Sequence, residues 1–108
     1  MPTLRFHAVE QAKLQSVSSA MIAELAAMLD IPTDHFNVEL IQSIFLDTEG
    51  SCAGFPIVEV HAFKRDVAIE DSFAECVSRY MQAAGYAESE LYFIHLEPRH
   101  YYFNGKHY

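Results

Sequence analysis

Positive charge is scarce in this chain of 108 residues: seven Lys and Arg stand against 15 Asp and Glu, a formal net charge of −8 with histidine neutral. The seven cations are scattered along the chain rather than gathered on one segment. A nucleic-acid footprint needs clustered basic residues, so the composition argues against that class of partner. Long apolar runs are missing too. None approaches the roughly 20 residues that a membrane span requires, and the N-terminus lacks the basic stretch followed by an apolar one that marks a leader. The expectation is a soluble, cytoplasmic protein with neither a nucleic-acid nor a membrane partner. Cysteine is limited to Cys52 and Cys76. Without CxxC spacing they build neither a disulfide framework nor a zinc site, and free thiols are expected. Cys52, in GSCAG, would need a lowered pKa to act as a nucleophile, and an inert thiol is the commoner case.

Low-complexity tracts and linkers are also absent, while hydrophobic residues make up 51% of the chain and aromatics 13%. Such a chain is long enough for one core and too short for two, so residues 1–108 are expected to form a single domain.

Period-two alternation over LRFHAV predicts a first strand from Thr3 to Ala8. Apolar residues then recur at three- and four-residue spacing (Leu14, Val17, Met21, Leu25, Met28, Leu29), predicting an amphipathic helix from Glu10 to Asp30. Pro32 cannot continue it. HFNVELIQSIFLD predicts a second strand from His35 to Asp47, with a loop over TEGSCAG and a third strand in FPIVEVHAF. A hairpin through that loop is the simplest connection. A second amphipathic helix is expected from Val67 to Ala84, with Gly85 as its positive-φ terminator. LYFIHLEP reads as a fourth strand stopped by Pro98, YYF as a short extra strand, and Asn104-Gly105 as a turn.

The order strand, helix, strand therefore occurs twice, and the pairs Leu4/Val58 and Phe36/Leu91 lie 54 and 55 residues apart. Two such units suggest an internal duplication and an α+β fold: a mixed four-stranded sheet with both helices on one face. Leu4/Phe6, Phe36/Val38/Leu40, Val58/Val60/Ala62 and Tyr92/Ile94/Leu96 are expected beneath the helices. Arg5, His7, Asn37, Glu39, Glu59, His61, His95 and Glu97 would then occupy the uncovered face. Histidine with carboxylate is a zinc ligand set or a general-base pair, but none of these has HxH, HxxxH or HExxH spacing, and an ion-pair network explains them more simply. An uncovered face of mixed charge with interspersed Ile41, Ile57 and Phe93 fits a polar subunit contact or a channel better than open solvent.

Several stretches carry a resemblance across nearly the whole chain: the MP start on a short strand, the DxPxxxF turn at residues 30–36, FPxVEV at 55–60, and a second helix ending in Gly85-Tyr86. In this order they resemble the tautomerase superfamily, which includes 4-oxalocrotonate tautomerase and macrophage migration inhibitory factor. MPTLRF, DHFNVEL, FPIVEVHAF, ELYFIHLE and YYFNGKHY look like an uncharacterised bacterial family of about this length.

The resemblance implies a tautomerase-like fold, a homo-oligomer with a trimer ahead of a dimer, and keto–enol chemistry without a cofactor on a small carboxylate-bearing substrate. It implies that Met1 is removed and that Pro2 acts as the catalytic base through its free amine, whose pKa burial and nearby cations would lower from about 8. The superfamily usually draws a carboxylate-holding cation from the first helix or just after it; here Asp30 and Ile31 stand before the Pro32 turn. Lys64, Arg65 and Arg99 are the candidate replacements, each of which can equally be solvated surface. Arg5 fits better as an ion-pair partner of Glu39 or Glu59. Tyr92, with Tyr101 and Tyr102, could line a pocket near Pro2. The alternative is a non-catalytic oligomeric binding or interaction protein on the same scaffold.

Overall fold

The computed structural model describes residues 1–46 and 54–108. β1 (Thr3–His7) leads into α1 (Gln11–Leu29), then β2 (Asn37–Ile41), β3 (Ile57–Phe63), α2 (Val67–Ala83) and β4 (Glu90–Leu96). Two short strands, β5 (Tyr102–Phe103) and β6 (Lys106–His107), close the chain. The main sheet has the order β2-β1-β3-β4. β1 runs parallel to β2, β3 parallel to β4, and the two pairs meet where β1 lies antiparallel to β3. Both expected βαβ units are present, and the fold is α+β.

Pleating sorts the side chains. Leu4 and Phe6 of β1, Val58, Val60 and Ala62 of β3, and Phe36 before β2 are buried. They share one core with Leu14, Met21 and Leu25 of α1 and with Phe73, Cys76, Val77 and Met81 of α2. These helical residues follow the three- and four-residue spacing that puts them on one stripe. Each helix ends as its sequence dictates. Asp30 adopts a left-handed conformation (φ 55°) after α1, with the Ile31 N–H donating to the Ala26 carbonyl at 3.1 Å. Gly85 does the same after α2 (φ 105°), with the Tyr86 N–H donating to the Met81 carbonyl at 2.9 Å. The terminal hairpin turns through Asn104 and Gly105, both at positive φ (49° and 81°), as a two-residue turn of this kind requires.

Three expectations need correction. The second strand stops at Ile41 rather than continuing to Asp47. Ile41 pairs with His7, the last residue of β1, and β1 then turns away at Ala8 (φ 59°), so among the described residues no strand lies beside 42–46. Ile44 and Leu46 are left 94% and 82% exposed. β2 and β3 are not a hairpin, because β1 lies between them; the end of the expected strand, most of the connecting loop and Cys52 lie outside the described residues.

The third correction concerns β4, which presents its other face. Parallel pairing aligns Leu91 with Val58, Phe93 with Val60 and His95 with Ala62, so these three residues lie on the helix side. Phe93 packs edge-on to Phe73 with ring centroids 5.7 Å apart. Tyr92, Ile94 and Leu96 therefore occupy the uncovered face. β4 is apolar at both parities, so alternation alone does not orient it; its register against β3 does.

An ion pair ties the helices together outside the core. Arg79 of α2 grips Glu24 of α1 through two hydrogen bonds of 2.6 and 3.3 Å, and the Tyr80 hydroxyl donates to the same carboxylate at 3.0 Å. Arg79 first, with help from Cys76 and Tyr80, lowers the Glu24 pKa from 4.5 to about 2. Burial and the neighbouring Glu24 push the Cys76 thiol up to about 12, which makes it a poor nucleophile. Because the folded-state pKa of Glu24 is depressed, its contribution to stability is complete above pH 4.5 and is lost as pH falls toward 2. Urea unfolding followed between pH 6 and pH 2 should show this loss, and Glu24→Gln should flatten the slope while lowering stability at neutral pH.

Candidate functional site

The antiparallel pairing of β1 with β3 brings the start of one to the end of the other: Thr3 faces His61, so Met1 and Pro2 lie beside the residues that leave β3. Pro2 is buried and Met1 half-buried. The Pro2 carbonyl accepts a hydrogen bond from the Asn37 N–H at 3.0 Å, which fixes the first turn of chain against β2. Burial lowers the pKa of the Met1 amine from its ordinary 8.0, and the positive charge of Arg65 lowers it further. The Met1 amine and Arg65, one of the three candidate anchor cations, thus share one corner of the fold.

The other expected site residues are placed elsewhere or otherwise engaged. Lys64 is exposed just beyond β3. Arg99 sits in the 3-10 turn Pro98–His100 and donates to the Tyr102 hydroxyl at 2.7 Å, at the start of the terminal hairpin. Tyr92 lies in the cross-strand row of Arg5 and Glu59, three residues along β1 from Pro2, or about 10 Å at strand rise. It is 47% exposed on the uncovered face and is not brought to the Pro2 corner. Tyr101 and Tyr108 pack against the ring of Phe63 at 5.3 and 5.6 Å, covering the end of β3.

The uncovered face carries the network its spacing implied, without His95 and Glu97. Glu59 is nearly buried, accepts from His61 at 3.0 Å and pairs with His7. Arg5 lies between Glu39 and Glu59 at 3.7 and 4.0 Å. Hydrogen bonds from His61 and His7 keep the Glu59 pKa below its ordinary value despite burial. Among the described residues no group of three acidic, histidine or cysteine side chains is arranged to hold a metal ion. His95 does not belong to this network. It lies on the helix side, where Nε2 is 2.8 Å from Oε2 of Glu70, a residue that sequence reasoning overlooked. The same Glu70 oxygen accepts the Arg65 backbone N–H at 3.3 Å. The 55-residue offset between Phe36 and Leu91 held the missing signal: extended along the strands, it matches Val38 to Phe93 and Leu40 to His95, all on the helix side.

Two kinds of cleft accompany these groups. One of about 380 Å³ opens between α1 and β2 and is lined by Gln11, Leu14, Gln15, Ser18, Val38, Leu40 and Gln42, none of them ionisable. A cavity of only about 10 Å³ adjoins Arg65 and Glu70 among Phe63, Phe73 and Phe93, room for about one water.

Residues 1–107 match the family described as a domain of unknown function, DUF1904. This chain belongs to that family. A crystal structure of a DUF1904 domain from Sebaldella termitidis superposes with a TM-score of 0.90 at 24% identity, with 100% of each chain covered. The DUF1904 chain also matches proteins outside its family. A fused 4-OT, described as an asymmetric trimer, superposes with a TM-score of 0.80 at 12% identity, covering 97% of this chain and 94% of that one. A macrophage migration inhibitory factor-like protein from Entamoeba histolytica gives 0.70 at 7% identity, covering 99% and 98%. At these identities the likeness shows the fold: DUF1904 has the tautomerase-superfamily architecture that the motif order implied. No curated protein matches the chain by sequence.

The corner makes a prediction of its own. The N-terminal amine should titrate below 8.0 when its acylation rate is followed against pH, and Arg65→Ala should raise that value part of the way back, leaving the contribution of burial.

Proposed function

We propose that this protein is a cofactor-independent keto–enol tautomerase of the bacterial cytoplasm whose base is the Pro2 amine, freed by removal of Met1. The observation that carries the reading is the half-buried N-terminal amine beside Arg65. In the structure that amine is Met1's. Once Met1 is removed, the amine of Pro2, one residue inward and buried, would meet the same desolvation and the same neighbouring cation, both of which favour the uncharged base. Arg65, half-buried and planar, is suited to a substrate carboxylate through two parallel hydrogen bonds. In the enol-to-keto direction the amine takes the enol O–H proton, the carbonyl forms, and the double-bond pair accepts a proton from the ammonium at carbon. Nothing is oxidised or reduced, and the amine ends as it began. Lys64, exposed just beyond β3, is a secondary anchor in this reading, whereas Arg99 is engaged by the Tyr102 hydroxyl and Tyr92 belongs to the subunit contact rather than to the substrate.

The protein is further proposed to act as a homo-oligomer, a trimer before a dimer. The fused 4-OT of the same fold is an asymmetric trimer. Tyr92 and Ile94 stand 47% and 37% exposed on a sheet face that no helix covers, a pattern that favours burial against another copy.

A second reading, a non-catalytic oligomeric binding protein on the same scaffold, is favoured by one observation. Pro2 is buried, and the cavity next to Arg65 holds about 10 Å³, so a single chain offers no substrate-sized pocket there.

The test is the intact mass of untagged protein from its native cytoplasm, followed by enol-to-keto turnover of phenylenolpyruvate. Loss of Met1 and a fall in kcat/KM of about 10²–10⁴ on Pro2→Ala, the range for removing a general base, are the expected results. Retained methionine, or turnover indifferent to that substitution, would leave the binding reading standing.

A further inference from the structure

Arg65 is held by its main chain and left free at its tip. Its N–H donates to Oε2 of Glu70 at 3.3 Å, while the guanidinium Nη1 reaches only the Phe63 carbonyl at 3.4 Å. Among the described residues, no carboxylate makes an ion pair with that guanidinium. Glu70 accepts the main-chain N–H of the same residue, and a carboxylate that can reach a guanidinium normally joins it in a two-bond pair. Here the carboxylate is engaged elsewhere. Oε2 of Glu70 lies 2.8 Å from Nε2 of His95, and the Glu70 side chain is only 15% exposed.

The His95 side is fixed in turn. Its ring stacks on Phe93 at 6.0 Å with an interplanar angle of 24°, and Phe93 packs on Phe73 in the core. Glu70 is anchored in the first turn of α2, where its own N–H donates to the Asp66 carbonyl at 3.0 Å. Three elements, the end of β3, the start of α2 and the end of β4, therefore converge on one carboxylate.

The geometry points to Glu70 and His95 as positioning residues: His95 holds the Glu70 carboxylate away from the Arg65 guanidinium and thereby keeps that guanidinium available to an anionic carboxylate ligand. The inference rests on the reading of Arg65 as the carboxylate anchor. Without the imidazole, the Glu70 carboxylate turns to Arg65 and occupies the fork that a ligand would use. Neutralising Glu70 should then undo the damage, an outcome that mere loss of packing at His95 does not produce.

Phenylglyoxal labelling of Arg65, read by peptide mass spectrometry on the folded protein, follows the free guanidinium without requiring turnover. His95→Ala should slow labelling about tenfold, the scale of one new charge-assisted contact. His95→Gln keeps an N–H donor and should label like the parent. The double variant His95→Ala/Glu70→Gln should recover the parent rate to within about twofold, because the amide still accepts from the Arg65 N–H but carries no charge to capture the guanidinium. With phenylenolpyruvate as substrate, His95→Ala should raise KM about tenfold, with the loss falling on KM rather than kcat, and the double variant should reverse it. Equal labelling in parent and His95→Ala, or a double variant as slow as the single, would overturn the inference. If labelling follows the expected pattern while turnover ignores Pro2→Ala, the positioning pair stands and the tautomerase reading falls.

Discussion

The antiparallel pairing of β1 with β3 is the constraint on which the rest of the molecule depends. It joins two parallel strand pairs into one sheet, and its register sets which side chains meet the helices. Leu4 opposite Val60 and Phe6 opposite Val58 form the apolar centre of that sheet, while Arg5 opposite Glu59 sets the polar centre of its other side. Slipping the register by one residue would exchange these two sets, burying the charges and exposing the core. The same pairing determines where the N-terminus goes. Because the strands run in opposite directions, the first residues of the chain must lie where β3 ends, and that is where Arg65 stands.

Much of this was legible in the sequence, and the reasons are local. Both helices announced themselves through a single apolar stripe, and their ends through Pro32 and Gly85. Arg5 could be assigned to an ion pair because its neighbours across a half-polar strand are glutamates. β4 was misread because its sequence, LYFIHL, is apolar at both parities, so period two is satisfied whichever face it presents. Only its partner resolves the choice, and the partner is non-local. The site was partly legible for the same reason. Pro2 is singled out by motif order and Arg65 stood only as one of three candidate cations beside Lys64 and Arg99, while the Glu70–His95 contact joins a helix start to a strand end 25 residues away and depends on the face that alternation leaves undecided. The second strand ended early for a reason that lies in another element: β1 bends at Ala8, and a strand cannot extend past the strand it pairs with.

The two sides of the sheet perform different physical work. On the helix side, burial of aliphatic and aromatic surface supplies the stability, with Glu24 and Arg79 adding a tie between helices at the rim. On the other side, polar groups are held close together by one another. Glu59 is nearly inaccessible yet stays ionised because two histidines and an arginine surround it, an arrangement that makes its removal more damaging than its presence is stabilising. Apolar Tyr92 and Ile94 flank this cluster, so the uncovered face alternates between charge and grease across a few ångströms.

The two halves of the chain are equivalent in one further respect. Pro56 stands 54 residues after Pro2, and each proline begins a central strand. The Pro2 carbonyl accepts from Asn37 at 3.0 Å and the Pro56 carbonyl from Glu90 at 2.9 Å, the same bond at the mouth of each parallel pair. Proline thus has an architectural role at this position that is independent of any chemistry: it opens a strand where its missing N–H is not needed. Joined in one polypeptide, the two units are not fully equivalent. Pro56 is held in an interior peptide bond and can never present a basic nitrogen, whereas Pro2 is one cleavage from doing so. One chain of two such units therefore carries the proline framework twice, with a removable methionine ahead of only one of the two prolines.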